Sequence, residues 1–150
     1  MDKKTFRILI DAPKETVWQV LWGDQSYQDW TAAFSEGSRA ETDWQKGSKV
    51  LFLDAKGDGM VARIADNRPN EFLSIQHLGE IHQGVEDLDN PKNKAWAGAL
   101  ENYTLNTEDG KTELVVDMDI TAEYLDYFSD TWPRALDKVK QLSEQKASQA

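Results

Sequence analysis

The stretch Phe6-Arg7-Ile8-Leu9-Ile10-Asp11-Ala12-Pro13-Lys14-Glu15-Thr16-Val17-Trp18-Gln19-Val20-Leu21-Trp22 decides how this chain folds. Phe6, Ile8 and Ile10 alternate with Arg7 and Asp11, the two-residue period of a strand with one buried face. The period then lengthens. Val17, Leu21 and the neighbouring Trp18 form the inward stripe of a short helix. Pro13 suits its first helical position, because the N–H that proline lacks has no intrahelical partner there. Glu15 falls in the first turn, where the helix dipole favours an acid, and Gly23 closes the helix.

Downstream, a second short helix is expected from about Gln25 to Ala33, bringing Tyr27, Trp30 and Phe34 inward. Strands then follow at Ser38–Asp43, Ser48–Asp54, Gly59–Asp66, Phe72–Ile81, Ala97–Thr107 and Thr112–Thr121. Turn signals separate them, among them Lys46-Gly47, Lys56-Gly57-Asp58-Gly59 and Glu108-Asp109-Gly110-Lys111. The last strand alternates cleanly, Leu114, Val116, Met118 and Ile120 against Glu113, Asp117 and Asp119. Consecutive strands with short turns imply an antiparallel meander. One long connection, His82 to Lys94, is acidic and turn-rich.

From about Ala122 to Gln145 the period is helical again: Tyr124, Phe128, Trp132, Ala135, Val139 and Leu142 recur at three- and four-residue steps. Such a helix is about 35 Å long, enough to cross a sheet. Pro133 removes one backbone bond inside it and predicts a kink; the alternative is two helices broken near Trp132. The chain is read as a single α+β domain over residues 1–150, with no internal repeat.

Composition narrows the function. The 27 acidic residues outnumber the 17 basic ones, for a net charge of −10, which repels nucleic acid and anionic membrane surfaces. With no Cys, there is no disulfide, thiolate nucleophile or thiolate-bound metal, as expected of a cytoplasmic protein. Neither a signal peptide nor a run long enough for membrane insertion is read. His77 and His82 are the only histidines, five apart and without a third ligand, so no metal or other cofactor is expected.

The order of strand, two short helices, six strands and long helix resembles the START-like superfamily, also called SRPBCC or birch-pollen-allergen-like. Within it, three features are similar to the family named for activators of the heat-shock-protein-90 ATPase. They are the Ala12-Pro13 to Leu21 opening followed by Trp30, the Trp44-Gln45-Lys46-Gly47 entry to an apolar strand, and Thr131-Trp132-Pro133-Arg134-Ala135-Leu136-Asp137-Lys138-Val139-Lys140. The resemblance implies a helix-grip fold: a curved antiparallel sheet of about seven strands around a long C-terminal helix, with a cavity between them. It implies a small apolar ligand or a chaperone as partner. The eukaryotic activators carry an additional N-terminal domain that engages the chaperone, and none is read here. Ring-hydroxylase relatives need a Rieske cluster and an iron site, for which the ligands are missing.

His77 and Glu101 are the sharpest candidates for chemistry. His77 shares a strand face with Leu73 and Ile75, and Glu101 shares one with Ala99, Tyr103 and Leu105. With the hairpin centred near Leu88-Asp89, His77 is expected opposite residue 100 or 101. A His beside a carboxylate in an apolar cavity is poised for acid–base work, as in aldol-type cyclisation. A buried pair that only satisfies its own hydrogen bonds is the alternative. Trp96, Tyr103, Met118, Phe128 and Trp132 are expected between sheet and helix, either stacking on a planar ligand or simply packing. Arg63 reaches a ligand carboxylate or Glu101 if inward, and water if at a sheet edge.

Three functions follow. The first is a binding module for an apolar, aromatic or lipid-like ligand. The second is a co-chaperone-like modulator of a chaperone ATPase. The third is an enzyme using His77 and Glu101. A monomer or weak dimer is expected.

Overall fold

The computed structural model describes residues 1–149; Ala150, the last residue of the domain read from the sequence, lies outside them. Strand β1 (Asp2–Ile10) leads into helices α1 (Lys14–Trp22) and α2 (Asp24–Thr31). Seven strands follow: β2 (Arg39–Glu41), β3 (Lys49–Leu53), β4 (Gly59–Arg68), β5 (Phe72–His82), β6 (Val85–Asp87), β7 (Leu100–Glu108) and β8 (Lys111–Ile120). Helix α3 (Leu125–Ser148) ends the chain. All eight strands join one antiparallel sheet in the order β1-β8-β7-β5-β4-β3-β2, with β6 paired to the end of β5. This is the helix-grip architecture expected from the sequence.

Local chemistry explains most boundaries and corrects some expectations. Pro13 is not the first helical residue but the cap before it, in extended backbone, and Gly23 separates α1 from α2 as expected. The two helices are clipped together by Trp30, whose indole Nε1–H donates to the Leu21 carbonyl at 3.1 Å. The sheet has eight strands rather than about seven because the long acidic connection folds back as β6 on β5. Gly79 permits that return: a Cβ there would lie 2.5 Å from the Asp87 carbonyl oxygen. The expected start of the long helix at Ala122 is instead a 3-10 turn, Ala122–Tyr124. α3 then runs unbroken through Pro133, which lies on its exposed side, so the two-helix alternative is set aside.

The core lies between the concave sheet face and the helices. Val17 and Leu21 of α1 meet Ile10, Leu114, Val116, Leu105 and Ala135 there, all buried. Trp132 sits at its centre, with ring centroids 5.9 Å from Phe6, 6.0 Å from Trp30, 4.9 Å from Phe34 and 6.1 Å from Tyr103. Trp44 is held with φ at 61°, a region that costs a bulky residue about 1–3 kcal/mol. Its ring lies 4.7 Å from Trp22, and its carbonyl accepts from Asn67 Nδ2 at 2.7 Å, which together hold the turn.

Truncating the central ring tests this arrangement. Trp132→Ala is expected to cost about 3–5 kcal/mol of unfolding free energy by denaturant titration. A loss below about 1 kcal/mol would show that the ring does not seat α3.

Candidate functional site

One irregularity in β5 sets the site. Val61 pairs with Gly79 but Ala62 pairs with His77, so Leu78 is an extra residue in β5, a β-bulge. The bulge shifts the alternation by one. His77 before it and Glu80 after it therefore both reach the concave side, where both line the same cavity. On the other flank, Ile75 pairs with Glu101, and His77 exchanges backbone bonds with the next strand segment: its N–H donates to Ala99 and its carbonyl accepts from Gly98. His77 thus lies opposite Ala99, not residue 100 or 101 as expected. Glu101 is its diagonal neighbour on the same face, which still lets the two side chains meet.

They do meet. His77 Nε2 lies 3.1 Å from Glu101 Oε1, with each side chain about four-fifths buried. The Tyr103 hydroxyl donates to the other oxygen, Glu101 Oε2. Both carboxylate oxygens therefore have a donor, in a chain His77–Glu101–Tyr103 that joins β5 to β7. Burial, and next the Glu101 charge, push the Tyr103 hydroxyl well above the ordinary tyrosine range, so it stays a donor. Burial and then the same charge raise Tyr27 as well. His77 Nδ1 is buried and has no hydrogen-bond partner.

The chain of hydrogen bonds stands between two cavities under α3. One, of about 300 Å³, extends towards Trp96, Tyr124 and Ile120. The other, of about 320 Å³, extends towards Tyr27, Trp30, Phe34 and Trp132. His77, Glu101, Met60, Met118 and Phe128 line both. Of the sequence candidates, the structure brings seven to these walls: His77, Trp96, Glu101, Tyr103, Met118, Phe128 and Trp132. Arg63 is not among them. It is exposed, and its Nε donates to Gln76 Oε1 at 2.8 Å, but it stands on the outer face of an interior strand rather than at a sheet edge.

Several wall residues escaped sequence reading. Glu80 depends on the bulge, which leaves no mark in the residue pattern. Asp119 alternates as an outward residue, yet it sits at the sheet end, where its Oδ2 accepts from the Leu100 N–H at 3.0 Å. Thr121 caps the turn before α3, and Tyr124, read from the sequence as part of the long helix's apolar stripe, lies in that turn instead. The Glu101-x-Tyr103 spacing, two same-face residues on one strand, was the available signal for the third member of the chain. Among the described residues, no group of three His, Asp or Glu side chains is placed to hold a metal ion.

Residues 11–144 match the family model described as activator of Hsp90 ATPase homolog 1-like protein. The chain belongs to this family. No curated protein sequence matches it. Similar solved structures include the Aha1 dimer from Colwellia psychrerythraea, at 21% identity and TM-score 0.74, covering 96% of this chain and 97% of that one. Another is protein MLL2253 from Mesorhizobium loti, at 17% identity and TM-score 0.75, covering 96% and 98%. A third is CalU16 from Micromonospora echinospora, at 15% identity and TM-score 0.66, covering 98% and 79%. At these identities the likeness establishes the fold. No helix among the described residues is long and apolar enough to cross a membrane.

The two raised tyrosines give the family member a defined alkaline limit. A raised pKa contributes stability that is fully present below the unfolded value of about 10, because both states then hold the proton. Above it the unfolded chain releases a proton that the folded chain keeps, so stability falls by about 1.4 kcal/mol per pH unit for each group. Denaturation midpoints measured from pH 8 to 11 are expected to drop beyond about pH 10. Tyr103→Phe is expected to make that drop shallower, while costing about 1–3 kcal/mol at neutral pH by leaving Glu101 Oε2 without its donor.

Proposed function

We propose that this protein binds a small, mostly apolar molecule in the space between the sheet and α3, oriented by His77 and Glu101. The observation that carries this reading is the His77–Glu101–Tyr103 chain set in walls that are otherwise largely aromatic and aliphatic. An apolar cavity with a few convergent polar groups is the usual form of a small-molecule site. With Nε2–H given to Glu101, His77 Nδ1 keeps a lone pair that no protein group uses, and the atom is covered by its neighbours. Trp96, Tyr103, Phe128 and Trp132 offer ring faces, and Met118 adapts to ligand shape. We place the protein in the cytoplasm, as a monomer or weak dimer; the similar Aha1 protein from Colwellia is a dimer.

The test is a titration of isotope-labelled protein with fatty acids, flavonoids, aromatic polyketides and sterols, followed by ¹H–¹⁵N correlation spectra. Saturable shifts are expected at His77, Trp96, Glu101, Tyr103 and Trp132. His77→Ala is expected to weaken the ligand roughly tenfold, the worth of one hydrogen bond, while the amide spectrum stays dispersed. No saturable shift with any compound class would overturn the reading.

The family match favours a second reading, modulation of a chaperone ATPase. It predicts a changed ATPase rate when this protein is added to the cognate chaperone, and an unchanged rate at saturating protein would remove it.

A further inference from the structure

The cavity of about 300 Å³ has a one-sided lining charge. Three carboxylates reach its wall: Glu80 from β5, Glu101 from β7 and Asp119 from β8. Neither Lys nor Arg does. The one basic group there, His77, already holds Glu101. His82 lies 2.8 Å from Glu80 at the exposed rim and offsets that charge alone.

The uncharged part of the wall points the same way. Three aromatic rings, Trp96, Tyr124 and Phe128, share it. The wall therefore presents carboxylates and ring faces.

A ligand carboxylate or phosphate finds no cation on such a wall and meets like charge instead. An ammonium group satisfies every feature. It offsets the carboxylates and is attracted to the aromatic faces. The net charge of −10 adds a field of the same sign.

We infer that this cavity takes a protonated amine carried on an apolar body. The inference rests on the ligand-binding reading above and assigns the headgroup of that ligand. It separates amines from the fatty acids that an apolar cavity alone would also admit.

Naphthylmethylamine, naphthylmethanol and naphthoate share one ring system and differ in head charge, which makes them the test set. The dissociation constant of each is read from ¹H–¹⁵N shifts of the cavity residues. The amine is expected to bind about tenfold or more tighter than the alcohol, with naphthoate weakest. Glu80→Gln and Asp119→Asn, each keeping an acceptor oxygen, are expected to weaken the amine severalfold more than the alcohol. Equal binding of the three compounds at the same residues, or tighter naphthoate, would overturn the amine assignment and leave the cavity a ligand site. An amine preference untouched by both substitutions would also overturn it. Absence of shifts with all three would overturn the amine assignment, while the ligand-binding reading is decided by the wider panel above.

Discussion

How α3 is seated governs everything else in this molecule. From Thr131 onward the helix fully buries Thr131, Trp132, Ala135, Leu136, Val139 and Ser143; before Thr131 only Leu125 and Phe128 pack against the core, and both are partly buried. The small side chains of Ala135 and Val139 let the C-terminal part of the helix settle among β1, α1 and the sheet. Trp132 is the one fully buried ring of the helix, caught between Phe6, Trp30, Phe34 and Tyr103, while Phe128 one turn earlier is only partly buried. Protein interiors fill their volume wherever side chains permit. Under the N-terminal turns of α3 they do not, and the two cavities occupy that wedge.

A carboxylate on the wall of this wedge is a cost that must be met locally. Taken largely out of water, Glu101 needs a donor on each oxygen, and it has one from each side, His77 and Tyr103. The arrangement is self-consistent: the charge keeps the Tyr103 proton in place, and that proton stabilises the charge. Such a network contributes little net stability compared with apolar packing of the same volume. Its value lies in presenting fixed polar atoms inside an apolar space.

Much of this was legible in the sequence, and the exceptions have physical causes. The clean alternation of Leu114, Val116, Met118 and Ile120 marked out β8, because one face of that strand is fully buried and the other is not. The Pro13-to-Gly23 punctuation located α1 between an extended cap and an extended break. The shared inward face of His77 and Glu101 could be read from parity alone. Their offset could not: it depends on where the β5–β7 connection folds, and β6 with the turn at Pro91–Asn93 sits in that connection. β6 itself is three residues, Val85-Glu86-Asp87, with no apolar alternation to betray it. The bulge at Leu78 is a property of strand pairing rather than of residue type, so nothing in the sequence marked Glu80 as a cavity residue.

The two cavities differ in polarity, and the difference gives a ligand a direction. The acidic groups Glu80 and Asp119 belong to one lobe only. The other lobe adds Tyr27, Trp30, Phe34 and Trp132, with Ser and Thr hydroxyls but no further charge beyond the shared His77 and Glu101. Between them stand Met60 and Met118, unbranched and soft, beside Phe128. A molecule with one cationic end and one aromatic end therefore has a single favourable direction. Its charge lies among the carboxylates and its rings lie against the tryptophans, with His77 and Glu101 at the junction. Reversing it would leave Glu80 and Asp119 facing an apolar body and place the charge in a lobe with no carboxylate beyond Glu101. On the ligand-binding reading proposed above, orientation follows from where the cavities lie under α3 and which strand ends carry acids.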